Sequence, residues 1–174
     1  MKEKKENQTK KGKLVAIIVV LLLLIGTCSW MLMNQNKLSM DPDQSEGSLD
    51  GLSAAELQEL MDKKVNEGSL MISINSKPEF PDGKSKGTLR IENSAQNRYL
   101  MIVKIYLRND NGTDGELIYE SGAIKPGNKI EEAPLKKELA KGTYHVIAYF
   151  EGYDVKTQEF VGKAASNLDI LIKE

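Results

Sequence analysis

Twenty consecutive positions, Leu14 to Met33, carry no charge, and they begin with the unbroken apolar run Leu14 to Ile25. A helix rises about 1.5 Å per residue, so roughly 20 such residues match a hydrocarbon core about 30 Å thick. The pattern predicts one transmembrane helix over 14–33. Residues 34–51 are polar, contain Pro42 and four acidic side chains, and show no apolar period; they predict a flexible stalk. Ser53-Ala54-Ala55-Glu56 then reads as a capping box, flanked by Leu52 and Leu57 as a hydrophobic staple. Leu57, Leu60, Met61 and Val65 recur at helical spacing before Gly68. Segment 52–68 is therefore expected to hold a short amphipathic helix, over about 54–66, that must lie on something to be stable.

From Ser69 onward the period falls to two. Leu70, Ile72 and Ile74 alternate with polar neighbours, as do Leu89 and Ile91, and Met101, Val103, Ile105 and Leu107 form a longer series. Further strands are expected at 117–120, 129–132, 143–151 and 166–173. Turn signals separate them: Pro81-Asp82-Gly83, Asn111-Gly112, Asp114-Gly115, Pro126-Gly127 and Lys141-Gly142. Seven short strands at this spacing predict an all-β class, an antiparallel β-sandwich over 69–174.

Charge sets the expected orientation. The formal net charge of -1 conceals a basic tail, because residues 1–13 hold six lysines against two glutamates. Lysine excess beside an apolar span marks the cytoplasmic side, so residues 1–13 are expected in the cytoplasm and 34–174 outside a cell membrane crossed once. Trp30 suits an interfacial anchor. Two other fates of the segment stay open: a lipoprotein signal modified at Cys28, where Thr27 occupies the place usually held by Gly or Ala, and a cleaved secretory signal, for which the apolar stretch is long. Cys28 is the sole cysteine, so no intrachain disulfide can form and the outer domain must rely on its core.

The run Leu139-Ala140-Lys141-Gly142-Thr143-Tyr144-His145-Val146 resembles the approach to strand F of immunoglobulin-like domains. The resemblance covers about residues 69–174. It implies that Tyr144 forms a tyrosine corner and that Val146 stands where those domains place a buried cysteine; both cysteines and the core tryptophan of antibody-type members are missing here. The stretch Glu120 to Gly127, the turn before Tyr144 and Tyr153-Asp154 are also similar to short, membrane-anchored, uncharacterised proteins of Gram-positive bacteria. That likeness implies an address and no activity.

The sequence offers little chemistry. His145 is the only histidine, which excludes a multi-histidine metal site, and no nucleophile elbow, phosphate loop or zinc-protease motif is present. A hydrolase would have to depend on His145, which alternation places on the outer face of its strand. Glu131 and Glu132 are adjacent on an expected strand and point to opposite faces, so they cannot act as the paired acids of a glycosidase. No basic, aromatic-laced stripe marks a nucleic-acid face. Asp110-Asn111-Gly112-Thr113-Asp114-Gly115-Glu116 is the richest oxygen cluster, but it fails the calcium-loop spacing at its third and twelfth positions and also reads as a hairpin tip.

One surface stands out. If Met101, Val103, Ile105 and Leu107 face the core, then Leu100, Ile102, Lys104 and Tyr106 face outward, as do His145, Ile147 and Tyr149 on the expected neighbouring strand. Ile102, Tyr106, Ile147 and Tyr149 would then form one apolar, aromatic patch, covered either by the amphipathic helix or by a partner protein. The expectation is a non-enzymatic, single-pass cell-surface protein with an extracytoplasmic interaction or scaffolding module and a protein partner in the cell envelope. It has no assigned catalytic, cofactor or metal residue, no nucleic-acid partner and no evident small-molecule substrate. The alternative is a membrane-tethered sensor domain that binds calcium or another ligand.

Overall fold

The computed structural model describes residues 18–27, 37–53, 55–56 and 70–174. Residues 18–27 are helical, with Ile18 to Ile25 all exposed. No helix among the described residues is long and apolar enough to cross a membrane. The rest of the expected span, 14–17 and 28–33, lies outside them, as does most of the expected amphipathic helix. The described part of that helix, residues 55–56, carries the predicted capping box: the Glu56 carboxylate accepts the Ser53 N–H at 2.8 Å and the Ser53 hydroxyl at 2.6 Å.

Leu38–Glu174 form one compact unit. Among the described residues its nine strands are β1 (Ser45–Glu46), β2 (Ile72–Ser73), β3 (Glu79–Phe80), β4 (Ile91–Asn93), β5 (Tyr99–Arg108), β6 (Asp114–Glu120), β7 (Asn128–Ile130), β8 (Gly142–Asp154) and β9 (Phe160–Ile172). They make two sheets, one ordered β1-β7-β4-β2 and the other β3-β9-β8-β5-β6. Every pairing is antiparallel except β3 with β9. The domain is thus mostly β with two sheets, as an all-β sandwich requires.

The core follows the alternation. Leu89 and Ile91 near and on β4, Met101, Val103 and Ile105 on β5, Val146, Ala148 and Phe150 on β8, and Leu168, Ile170 and Ile172 on β9 meet in one cluster with Phe80, Ile118 and Ile130. Met101, Val103, Ile105 and Phe150 are completely buried. Burying side chains of this size stabilises the fold by about 1.5–3 kcal/mol each before the entropy cost of ordering the chain. Val146 is 1% exposed and lies in this cluster, so an apolar contact fills the place that the resemblance gives to a cysteine. The Tyr144 hydroxyl donates to the Ala140 carbonyl at 2.9 Å, four residues upstream.

Two elements differ from expectation. The stretch read as a stalk is packed on the domain from Leu38 onward: Met40 bridges Ala123 in parallel, and β1 pairs with β7. Asp41, 9% exposed, accepts the N–H of Gly122 at 2.6 Å and that of Asp43 at 2.9 Å. Gly122 permits the approach, since a Cβ there would lie 2.6 Å from the Asp41 Cα. The bond from the Gly122 N–H and the Asx turn closed by the Asp43 N–H, both partly buried, outweigh the polar composition of the stretch. In addition, β9 begins at Phe160 rather than Ser166, because the register with β8 continues through Gly162 and Ala164 despite their low strand propensity.

Candidate functional site

The long ladder between β5 and β8 pairs Ile102 with Glu151, Lys104 with Tyr149 and Tyr106 with Ile147. Paired residues share a face, so Ile102, Tyr106, Ile147 and Tyr149 all lie on the side of the five-stranded sheet away from Val103, Ile105, Ala148 and Phe150. Ile147 is buried, and Ile102, Tyr106 and Tyr149 are half-buried. The Tyr106 and Tyr149 rings meet edge to face, with centroids 5.9 Å apart at 71°.

Tyr149 is held on three sides. Its hydroxyl donates to Asp114 Oδ2 at 2.7 Å, its ring edge meets Tyr106, and the Lys163 ammonium lies 4.5 Å from its ring centroid. The bond to Asp114 and, secondarily, burial push the Tyr149 phenol above its ordinary pKa. Asp114 is in turn fixed by Arg108, at 2.9 Å. The phenol is thereby fixed in place at the centre of the face, presenting a rigid aromatic surface that a contacting molecule need not order.

The four predicted residues do not form one unbroken patch. Lys104 and Glu151 pair at 2.9 Å, and the Tyr153 hydroxyl donates to the same Glu151 oxygen at 2.8 Å. In the ladder, Lys104 stands between Ile102 and Tyr106, so this ion pair divides Ile102 from the Tyr106, Ile147 and Tyr149 group. Leu100, expected to face outward beside them, is only 2% exposed. Two residues join the face that the sequence did not assign to it. Leu117 is half-buried on β6 opposite Tyr106, across an irregularity in the β5–β6 register, and Lys163 arrives from the early part of β9. The period-two pattern of β5 gives no notice of the first, and the weak strand signal of 160–165 hides the second.

The other candidate residues fall elsewhere. His145 is largely exposed, and its Nδ1 lies 2.5 Å from Asp169 Oδ1, its cross-strand partner. In the 110–116 loop, Gly112 adopts φ +78°, Asn111 Oδ1 accepts the N–H and hydroxyl of Thr113, and Arg108 bonds the Gly112 carbonyl and Asp114. Oxygens of Asn111, Gly112 and Asp114 thus help close the hairpin between β5 and β6, while Glu116 pairs with Lys137. Among the described residues, no three His, Cys, Asp or Glu side chains are grouped so as to hold a metal ion. Glu131 pairs with Lys129.

Leu57, Leu60, Met61 and Val65, the expected cover of the patch, lie outside the described residues. Comparison of the chain with protein-family models, with curated proteins and with solved structures finds no match.

Proposed function

We propose that this chain is a non-enzymatic, single-pass membrane protein that displays an immunoglobulin-like interaction module outside the cell and binds a protein partner of the envelope. The observation that carries this reading is the braced aromatic face on β5 and β8, where Tyr149 is fixed by Tyr106, Asp114 and Lys163. Rigid aromatic side chains supply contact area at low entropic cost, and interface energy concentrates in such residues.

Topology supports the immunoglobulin-like assignment. The order β2-β4-β7 follows the A-B-E strands of that fold, with β1, which precedes β2 in the chain, at the edge where the fold places D, and β9-β8-β5 follows its G-F-C sheet. The bond from Tyr144 to Ala140 supplies the corner at the start of the F-like strand. The membrane assignment rests on the uncharged run 14–33 and on the lysines before it.

An impermeant lysine-reactive crosslinker applied to intact cells tests both halves of the proposal. It is expected to yield a conjugate with a second polypeptide, reduced about tenfold when Tyr106 and Tyr149 are both replaced by serine, a loss of about 1.4 kcal/mol of binding. A conjugate that is undiminished in that variant overturns the assigned face. Absence of any conjugate, with intact chain present in the membrane fraction, overturns the extracellular placement or the partner.

A further inference from the structure

We propose that the early half of β9 is a self-association edge, and that Lys163 to Asn167 pair antiparallel with the same residues of a second copy. The late half of this strand is already covered: the N–H groups of Asp169, Leu171 and Lys173 point away from β8 and donate to the carbonyls of Ser76, Pro78 and Phe80 at 3.2, 2.9 and 3.0 Å. The β8–β9 register is unbroken from Gly162 to Ile172, so the N–H and C=O groups of Lys163, Ala165 and Asn167 point to the same side. Among the described residues nothing pairs with them there.

Proteins blunt exposed edges with proline, charge, short strands or covering segments. The opposite edge of this sheet is treated so: the Lys136 N–H donates to the Ile118 carbonyl, and Lys136 and Lys137 pair with Glu120 and Glu116 of β6. Among the described residues the early β9 edge carries none of these guards. It has no proline, and its one charged residue, Lys163, is turned back over the Tyr149 ring.

Register selects the pairing. The segment is bounded by the irregularity before Gly162 at one end and by the Ser76 contact at Asp169 at the other. A twofold through Ala165 uses all three open residues of each copy, setting Ala165 opposite Ala165, Lys163 opposite Asn167, and Lys163 diagonal to Asp169 of opposite charge. It forms six backbone hydrogen bonds. A register shifted by two residues leaves Asn167 unmatched by regular strand and brings the two Lys163 side chains to diagonal positions, where like charges repel.

Single-cysteine variants of the full-length chain in detergent micelles, in a Cys28→Ser background, test this pairing. Ala165→Cys is expected to form a disulfide dimer on mild oxidation, because residues facing each other across the twofold have Cα atoms about 5.5 Å apart, within disulfide range. Val161→Cys, also exposed, is expected to remain monomeric, since the two copies of residue 161 would lie about 26 Å apart along the strands. Ala165→Pro removes an N–H that the described sheet does not use, so it should lower the dimer fraction in sedimentation at least tenfold while the β-sheet circular dichroism persists. Equal crosslinking at 161 and 165, a folded Ala165→Cys chain that stays monomeric, or an undiminished dimer in folded Ala165→Pro overturns the proposal.

Discussion

The Tyr144 hydroxyl reaches back to Ala140 and secures the chain where it enters β8. Tyr144→Phe removes that bond alone, so it is expected to cost about 1 kcal/mol, read as a lower urea midpoint at unchanged slope. The Lys104–Glu151 pair makes a second residue-scale prediction through pH. Hydrogen bonding to Glu151 raises Lys104 above 10.5. Burial by itself would raise Glu151, but its bonds from Lys104 and Tyr153 prevail and hold it below 4.5. A carboxylate depressed in the folded state stabilises the fold above its unfolded value, and that stability is lost as pH falls through the folded value. An ammonium raised in the folded state stabilises below its unfolded value, and that stability is lost as pH rises through the folded value. The stability gap between the native chain and Glu151→Gln should therefore be widest between pH 4.5 and 10.5 and narrow on either side, as measured by thermal melts across that range.

At the scale of elements, the strands with a strong apolar period were legible. β5 and the main part of β8 lie where Met101 to Leu107 and Thr143 to Glu151 predict them, and the capping box at Ser53 is formed. What escaped was structure without an apolar signature. β1 and β3 are two residues each, and the strap around Asp41 is held by backbone and Asx bonds that composition does not reveal. The candidate face was partly legible for the same reason. Alternation placed its four side chains on one side, but the dividing ion pair depends on which residues the ladder sets opposite each other, and that register is tertiary information. The strap makes its own prediction. Asp41→Ala leaves the Gly122 N–H without its acceptor and unties the Asp43 turn, so it is expected to cost about 1–3 kcal/mol. If residues 38–48 contributed nothing, the denaturation midpoint would not move.

For the molecule as a whole, the decisive contacts join distant parts of the chain. β3, at residues 79–80, pairs with Leu171 and Ile172, and Met40 bridges Ala123. Folding must close these long loops before their contacts contribute, which places the domain among slow, non-local β topologies that fold in milliseconds to seconds. No disulfide can shorten the search, because Cys28 is the only cysteine. The consequence concerns the last five residues. Ile170 and Ile172 are 0% and 1% exposed, and residues 171–173 supply the ladder that seats β3 and with it Phe80. A variant ending at Asp169 loses two buried isoleucines, each worth about 2–5 kcal/mol by the measure of truncation to alanine, and unseats a fully buried phenylalanine. That loss rivals the 5–15 kcal/mol by which domains of this size are stable. The shortened chain is expected to show no cooperative unfolding transition and to expose amides throughout β8 to hydrogen exchange. A sharp melt with β8 still protected would mean that the sheets hold without the β3–β9 closure.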